Sequence, residues 1–207
     1  LKMTSERKKK TALYLNMAMV AAELVTFLTY SNHRGLLSLA FYTILSNIFA
    51  LCASALFVFS SFTGKLKREV VVARYVSVFV LFVTFCVTTF ILVWFTDPME
   101  LLFSRCNFIH HLLMPVLSFV SYMVFEDHIC EKRKMLAAIL PNVLYGITMI
   151  VLNVAGIVDG PYPFFMVQHF GIGRVIAYFF ALLIFIILLA LGLYWLPGRN
   201  DQPDKRV

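Results

Sequence analysis

Six apolar runs, each about as long as a bilayer is thick, constrain this chain more than any other feature of its sequence. They fall at 11–30, 36–62, 70–96, 107–126, 136–156 and 172–196, and roughly 20 apolar residues suffice for a helix to cross the ~30 Å hydrocarbon core. Only short connections separate them, so 207 residues hold six spans and no added soluble domain. The expected fold is therefore all-α: a polytopic membrane bundle of six transmembrane helices forming one domain over 1–196, with a polar tail at 197–207. As a single helix the second run would reach ~40 Å, so it is expected to tilt or to project into water. Pro115 and Pro141 fall inside predicted spans, where neighbouring groups can satisfy the carbonyls they free.

Composition closes off the alternatives. Apolar residues make up 61% and charged residues 14%, against about 25% charged in soluble domains. With 21 Phe, 9 Tyr and 2 Trp the chain is also unlike a disordered one, which is poor in aromatic residues. The four cysteines lie far apart without a C-x-x-C pair, which suggests neither a disulfide framework nor a zinc knuckle.

The formal net charge of +7 is distributed as a topology signal rather than as a nucleic-acid-binding face. Fifteen of the 18 Lys and Arg occur in four places: Lys2 and Arg7–Lys10; Lys65, Lys67, Arg68 and Arg74; Lys132–Lys134; and Arg199, Lys205 and Arg206. The intervening connections hold only Arg34, Arg105 and Arg174. By the positive-inside rule both termini are expected in the cytoplasm.

Polar residues inside the runs are expensive in lipid and face a protein interior or a wet cavity. Glu23 is the one acid well inside a run, read either as a protonated acid bonded to a neighbouring helix or as an orienter for a histidine. Thr43 and Asn47 are four apart and share a helix face. The hydroxyl is a candidate nucleophile and the amide a candidate oxyanion donor. Equally, such a Thr can bond its own i−4 carbonyl and such an Asn can tie helices together. His110 and His111 open the fourth run, with Asn107 one turn before His111. Imidazole suits general-base work, whereas haem would need a partner histidine at matching depth. No residue spacing indicates a metal site. The connection Tyr162-Pro163-Phe164-Phe165, with His169 and Arg174 following, reads as an aromatic anchor at the interface or as a border to a substrate slot.

Three patches together resemble one family: Phe41-Tyr42-Thr43-Ile44-Leu45-Ser46-Asn47, His111-Leu112-Leu113-Met114-Pro115, and Tyr162-Pro163-Phe164 followed by Gly171-Ile172-Gly173-Arg174-Val175. In order and spacing they are similar to the androgen-induced and androgen-dependent TFPI-regulating integral membrane proteins and their bacterial six-span relatives. The mammalian members are threonine hydrolases of fatty acid esters of hydroxy fatty acids, using one intramembrane Thr and one His. The resemblance implies Thr43 as nucleophile and His111 as base, with His110 in that role if one residue is inserted before Pro115. Asn47 or Asn107 would hold the oxyanion, and Tyr162, Phe164, His169 and Arg174 would border the substrate. The expected activity is hydrolysis of membrane lipids or fatty acid esters in the outer half of the membrane, without a cofactor, in a bacterial plasma membrane or, in a eukaryote, an endomembrane. The rival expectation is a non-catalytic small transporter or lipid-binding membrane protein.

Overall fold

The computed structural model describes residues 4–104, 106–126 and 132–195; the tail expected at 197–207 lies outside them. Every regular element among the described residues is helical. The long helices are α1 (Ser5–Arg34), α2 (Tyr42–Phe62), α3 (Arg68–Phe90), α6 (Lys132–Val154) and α8 (Ile172–Trp195). Short helices α4 (Pro98–Phe103), α5 (Met114–Val120) and α7 (Val167–Phe170) complete the series. Five helices are long and apolar enough to cross a membrane: Ser5–Thr29, Tyr42–Phe62, Arg68–Trp94, Lys134–Val154 and Ile172–Trp195. Their outward faces carry Leu28, Phe59, Leu144, Phe180 and Leu188, far more apolar surface than a soluble monomer exposes. The chain is built as an integral membrane protein.

Two of the six runs fold differently from the sequence expectation. The second is not one long helix. Gly35–Ala40 forms a 3-10 turn, Phe41 is extended at φ −83 and ψ 124, and α2 begins only at Tyr42. The excess length is taken up by that break rather than by tilt, and it puts Thr43 in the first turn of α2. The fourth run is a composite. Ile109–Leu113 is a π turn, α5 follows, and Ser121–Phe125 is a second π turn. At 1.5 Å per residue the 17 residues Ile109–Phe125 reach at most ~25 Å.

Helix α3 is the hub. Helices α2 and α5 pack on one side of it, with α1 against both of them, and α6 with α8 pack on the other. Contacts at both ends of α3 show that the segments alternate in direction. Near Thr88 and Leu92 lie His111, Phe164 and Val175; near Arg74 and Tyr75 lie Glu126, Ala138 and Leu193.

A polar knot ties the Arg74 end together. Arg74, counted in the sequence among the topology-setting cations, is 0% exposed. Its Nε and Nη2 donate to the two carboxylate oxygens of Glu126 at 3.1 and 2.8 Å. Its Nη1 reaches the hydroxyls of Ser54, Ser77 and Ser118 at 3.1, 3.2 and 3.5 Å. Asn16 and Ser121 donate to Glu126 at 2.9 and 2.7 Å. A guanidinium in this setting survives because its donors are matched by acceptors from several helices.

Candidate functional site

At the opposite end, a small cavity of about 60 Å3 lies between α3, α6 and α8 under the start of α2. Its lower walls are aliphatic and aromatic, with Val83 and Val87 on α3 facing Phe179, Leu182 and Ile186 on α8. Polar side chains are interspersed along the lining, from Tyr42, Thr43, Thr84, Thr88, Asn142 and Tyr162, with Leu92, Phe164 and Phe165 beside them. The cavity is a mainly apolar slot with a few hydroxyls at its edge.

The roof is fixed by local rules that can be traced residue by residue. Helix α6 closes with Gly156 at φ 68, the Gly156 N–H on the Asn153 carbonyl and the Ile157 N–H on that of Leu152, the Schellman arrangement that favours glycine. The wholly buried Asn153 side chain then grips Gly160 from both sides, donating to its carbonyl at 2.7 Å and accepting from its N–H at 3.0 Å. That clamp turns the following aromatics inward. Tyr162 stacks on Phe164 at 5.3 Å and meets Phe41 edge-on at 6.1 Å, while Phe165 packs against Tyr145. Tyr162, Phe164 and Phe165 are all buried, so this segment is a lid rather than an interfacial anchor.

Thr43 sits beneath the lid. Its backbone N–H donates to the Tyr162 phenol at 3.4 Å, and the two hydroxyls are also 3.4 Å apart. Two further phenols are held nearby, Tyr42 donating to Asn142 at 2.6 Å and Tyr145 to the Ala40 carbonyl at 2.7 Å. Asn47 is on the same face as Thr43, as its spacing predicts, but its amide N–H groups donate to the carbonyls of Thr43 at 2.8 Å and His110 at 3.3 Å. An amide whose donors are committed to backbone carbonyls acts as a tie between α2 and the π turn, which displaces it from oxyanion duty.

The two adjacent imidazoles, both in the π turn at Ile109–Leu113, face different helices. His110 turns to α1, where its Nε2 lies 3.4 Å from the Glu23 carboxylate, both side chains being buried. His111 turns to α3, its Nδ1 3.1 Å from the Thr88 hydroxyl. Of the two, His111 is the one joined to the cavity wall, because Thr88 lines the cavity. Among the described residues no hydrogen bond joins Thr43 to an imidazole; Thr43 and the Thr88–His111 couple meet only across the cavity. Single-turn π segments recur at functional sites because they redirect side chains within a helix.

The remaining expected residues lie apart from this centre. Asn107 donates to the Glu100 carbonyl at 3.1 Å and to Ser104 at 3.2 Å, closing the connection around α4. His169 pairs with Asp159 at 3.2 Å on the exposed surface, and Arg174 is exposed at the start of α8; neither lines the cavity. Sequence reasoning missed Thr88, Asn142 and Asn153. A polar residue on the buried stripe of each helix was the available signal.

Comparison with known proteins adds no identification: no family model, no curated protein and no solved structure matches the chain.

Proposed function

We propose that this protein is an intramembrane hydrolase of lipid esters, of the threonine type that the three sequence patches resemble. The observation that carries the reading is the buried Thr88–His111 hydroxyl–imidazole couple, whose Thr88 borders a mainly apolar cavity that Thr43 also lines. Thr43 attacks the acyl carbonyl, forming the Oγ–C bond as its proton passes to the His111 imidazole. The tetrahedral intermediate then expels the alcohol, which leaves with that proton. Water attacks the acyl-threonine, gives its proton to the imidazole, and releases the fatty acid as Thr43 regains its hydrogen. Catalytic hydrogen bonds are often long before substrate binds, and the proton transfer requires Thr43 and the His111 imidazole to come within reach on binding, directly or through one water.

The developing oxyanion has two donors at hand. Thr43 is the second residue of α2, where backbone N–H groups lack intrahelical acceptors and the helix dipole favours negative charge. The Tyr162 phenol already lies against both Thr43 atoms. A pre-set donor of this kind contributes about 3 kcal/mol to the transition state. The acyl chain would enter between Val83, Val87 and the α8 side chains as these move apart to widen the slot.

This reading includes six membrane crossings, with Ile109–Phe125 as the short fourth, both termini cytoplasmic, and the cavity in the outer half of a bacterial plasma membrane. Alternating direction of all six segments supports it, as does the charge asymmetry. Transport fits less well. Between the Ser46–Thr84 pair and the Ser54–Arg74 knot, ~10–12 Å apart along α2, α2 and α3 carry the buried apolar residues Ala50, Ala53, Val80 and Leu81.

The test is turnover of a fatty acid ester by the purified protein and labelling with an activated fluorophosphonate. Thr43→Ala and His111→Ala are expected to lose at least 100-fold in kcat and all labelling, with the thermal midpoint nearly unchanged, while His110→Ala keeps measurable turnover. Full activity in Thr43→Ala would remove the mechanism.

A further inference from the structure

We propose that Thr88 is a positioning residue: it accepts the Nδ1–H of His111 and so keeps Nε2 as the proton-accepting nitrogen. The inference rests on the hydrolase reading above but concerns a residue that neither the three sequence patches nor the helix periodicity marks. Three threonines lie near the end of α3, and two of them behave as helical threonines usually do. Thr84 donates to the Val80 carbonyl at 3.1 Å and Thr89 to the Phe85 carbonyl at 2.7 Å. Thr88 makes no such bond among the described residues; its hydroxyl is turned to His111 at 3.1 Å. It is 1% exposed and still borders the cavity. On the other side of the contact, the π turn carries His111 toward α3 while His110 is held by Glu23 on α1. Two departures from regular helix behaviour, one on each partner, converge on a single hydrogen bond.

The chemistry of imidazole gives that bond a consequence. A neutral ring has one N–H and one basic nitrogen, and the bond made by the first decides which nitrogen serves as the second. With Nδ1–H committed to Thr88, whose own O–H is then directed into the cavity that it lines, Nε2 is left to take the Thr43 proton. A neutral hydroxyl stands here where a carboxylate or amide orients the base in other hydroxyl and thiol hydrolases. Such an acceptor fixes the ring without adding a buried charge to the membrane interior.

The experiment compares Thr88→Val, which keeps the shape, with Thr88→Ser, which keeps the hydroxyl, in the full chain in detergent. Nitrogen-15 NMR of the imidazole is expected to show His111 as one neutral tautomer protonated at Nδ1 in the parent and in Thr88→Ser, and as a mixture in Thr88→Val. Ester turnover in Thr88→Val is expected to fall 10- to 100-fold in kcat at nearly constant KM, with Thr88→Ser retaining most of it. Unchanged imidazole signals in Thr88→Val, or a phosphonate adduct on Thr88 instead of Thr43, would overturn the assignment. Because the tautomer is read without substrate, a parent protein that hydrolyses nothing would defeat the hydrolase reading while leaving this one standing or falling by its spectrum.

Discussion

Arg74 shows how far one buried side chain can reach. Its guanidinium bonds to hydroxyls from α2, α3 and α5 and to the carboxylate just beyond the second π turn. Removing one member of such a pair leaves the other charged and unpaired in a low-dielectric interior, at a cost of about 3–5 kcal/mol. Arg74→Leu and Glu126→Leu are each expected to lower the thermal midpoint in detergent by several degrees or to abolish folding. The double variant is expected to recover much of the loss, because no orphan charge remains. A strictly additive double-mutant cycle would show that the pair is not coupled. Neither residue stood out in the sequence. Arg74 was grouped with the surface cations by its place near a helix start, and Glu126 closed a run; only the fold brings them within 2.8 Å.

Among the elements, α6 and α8 decide the shape of the slot. A methyl group added at Gly146 would sit 2.6 and 2.9 Å from the Phe179 ring, so glycine is what lets the two helices close over the cavity. Gly146→Ala is expected to destabilise the protein by about 1–3 kcal/mol through overpacking and to push Phe179 into the slot. The expected readout is a lower thermal midpoint together with a shift of ester preference toward shorter acyl chains. Phe179→Leu in the same chain should restore both. The sequence displayed α6 and α8 plainly as apolar runs, but periodicity could not register this contact, since it depends on which faces of two distant helices meet. The π turns were equally hidden, but adjacent helical residues point about 100° apart, and the two histidines do face different helices.

For the whole molecule, sidedness is the property with most at stake. Leu92 and Phe164 belong to one packed cluster, so the connections after α3 and after α6 lie at the same end of the bundle. The chain between them must then pass down through Ile109–Phe125 and back through α6. In a variant with the four native cysteines replaced, Met99→Cys and Ile157→Cys are both expected to react with a membrane-impermeant maleimide from outside intact cells. Lys65→Cys is expected to react only after the cells are opened. Opposite accessibility of positions 99 and 157 would mean that the short fourth segment does not cross.

The amino-acid order alone determined the membrane class, the helical character and the approximate extent of the long helices, because hydropathy and backbone hydrogen bonding in lipid are local constraints summed along a segment. It also placed Thr43 and His111 near the same end, since both lie near the start of apolar runs of the same direction. What tertiary structure alone decided was which polar groups touch: Thr88 with His111, Glu23 with His110, Asn153 with Gly160, Arg74 with Glu126. In an apolar bundle a polar side chain must find its partner on whichever helix stands opposite. That choice is set by helix rotation and crossing, which no single run encodes.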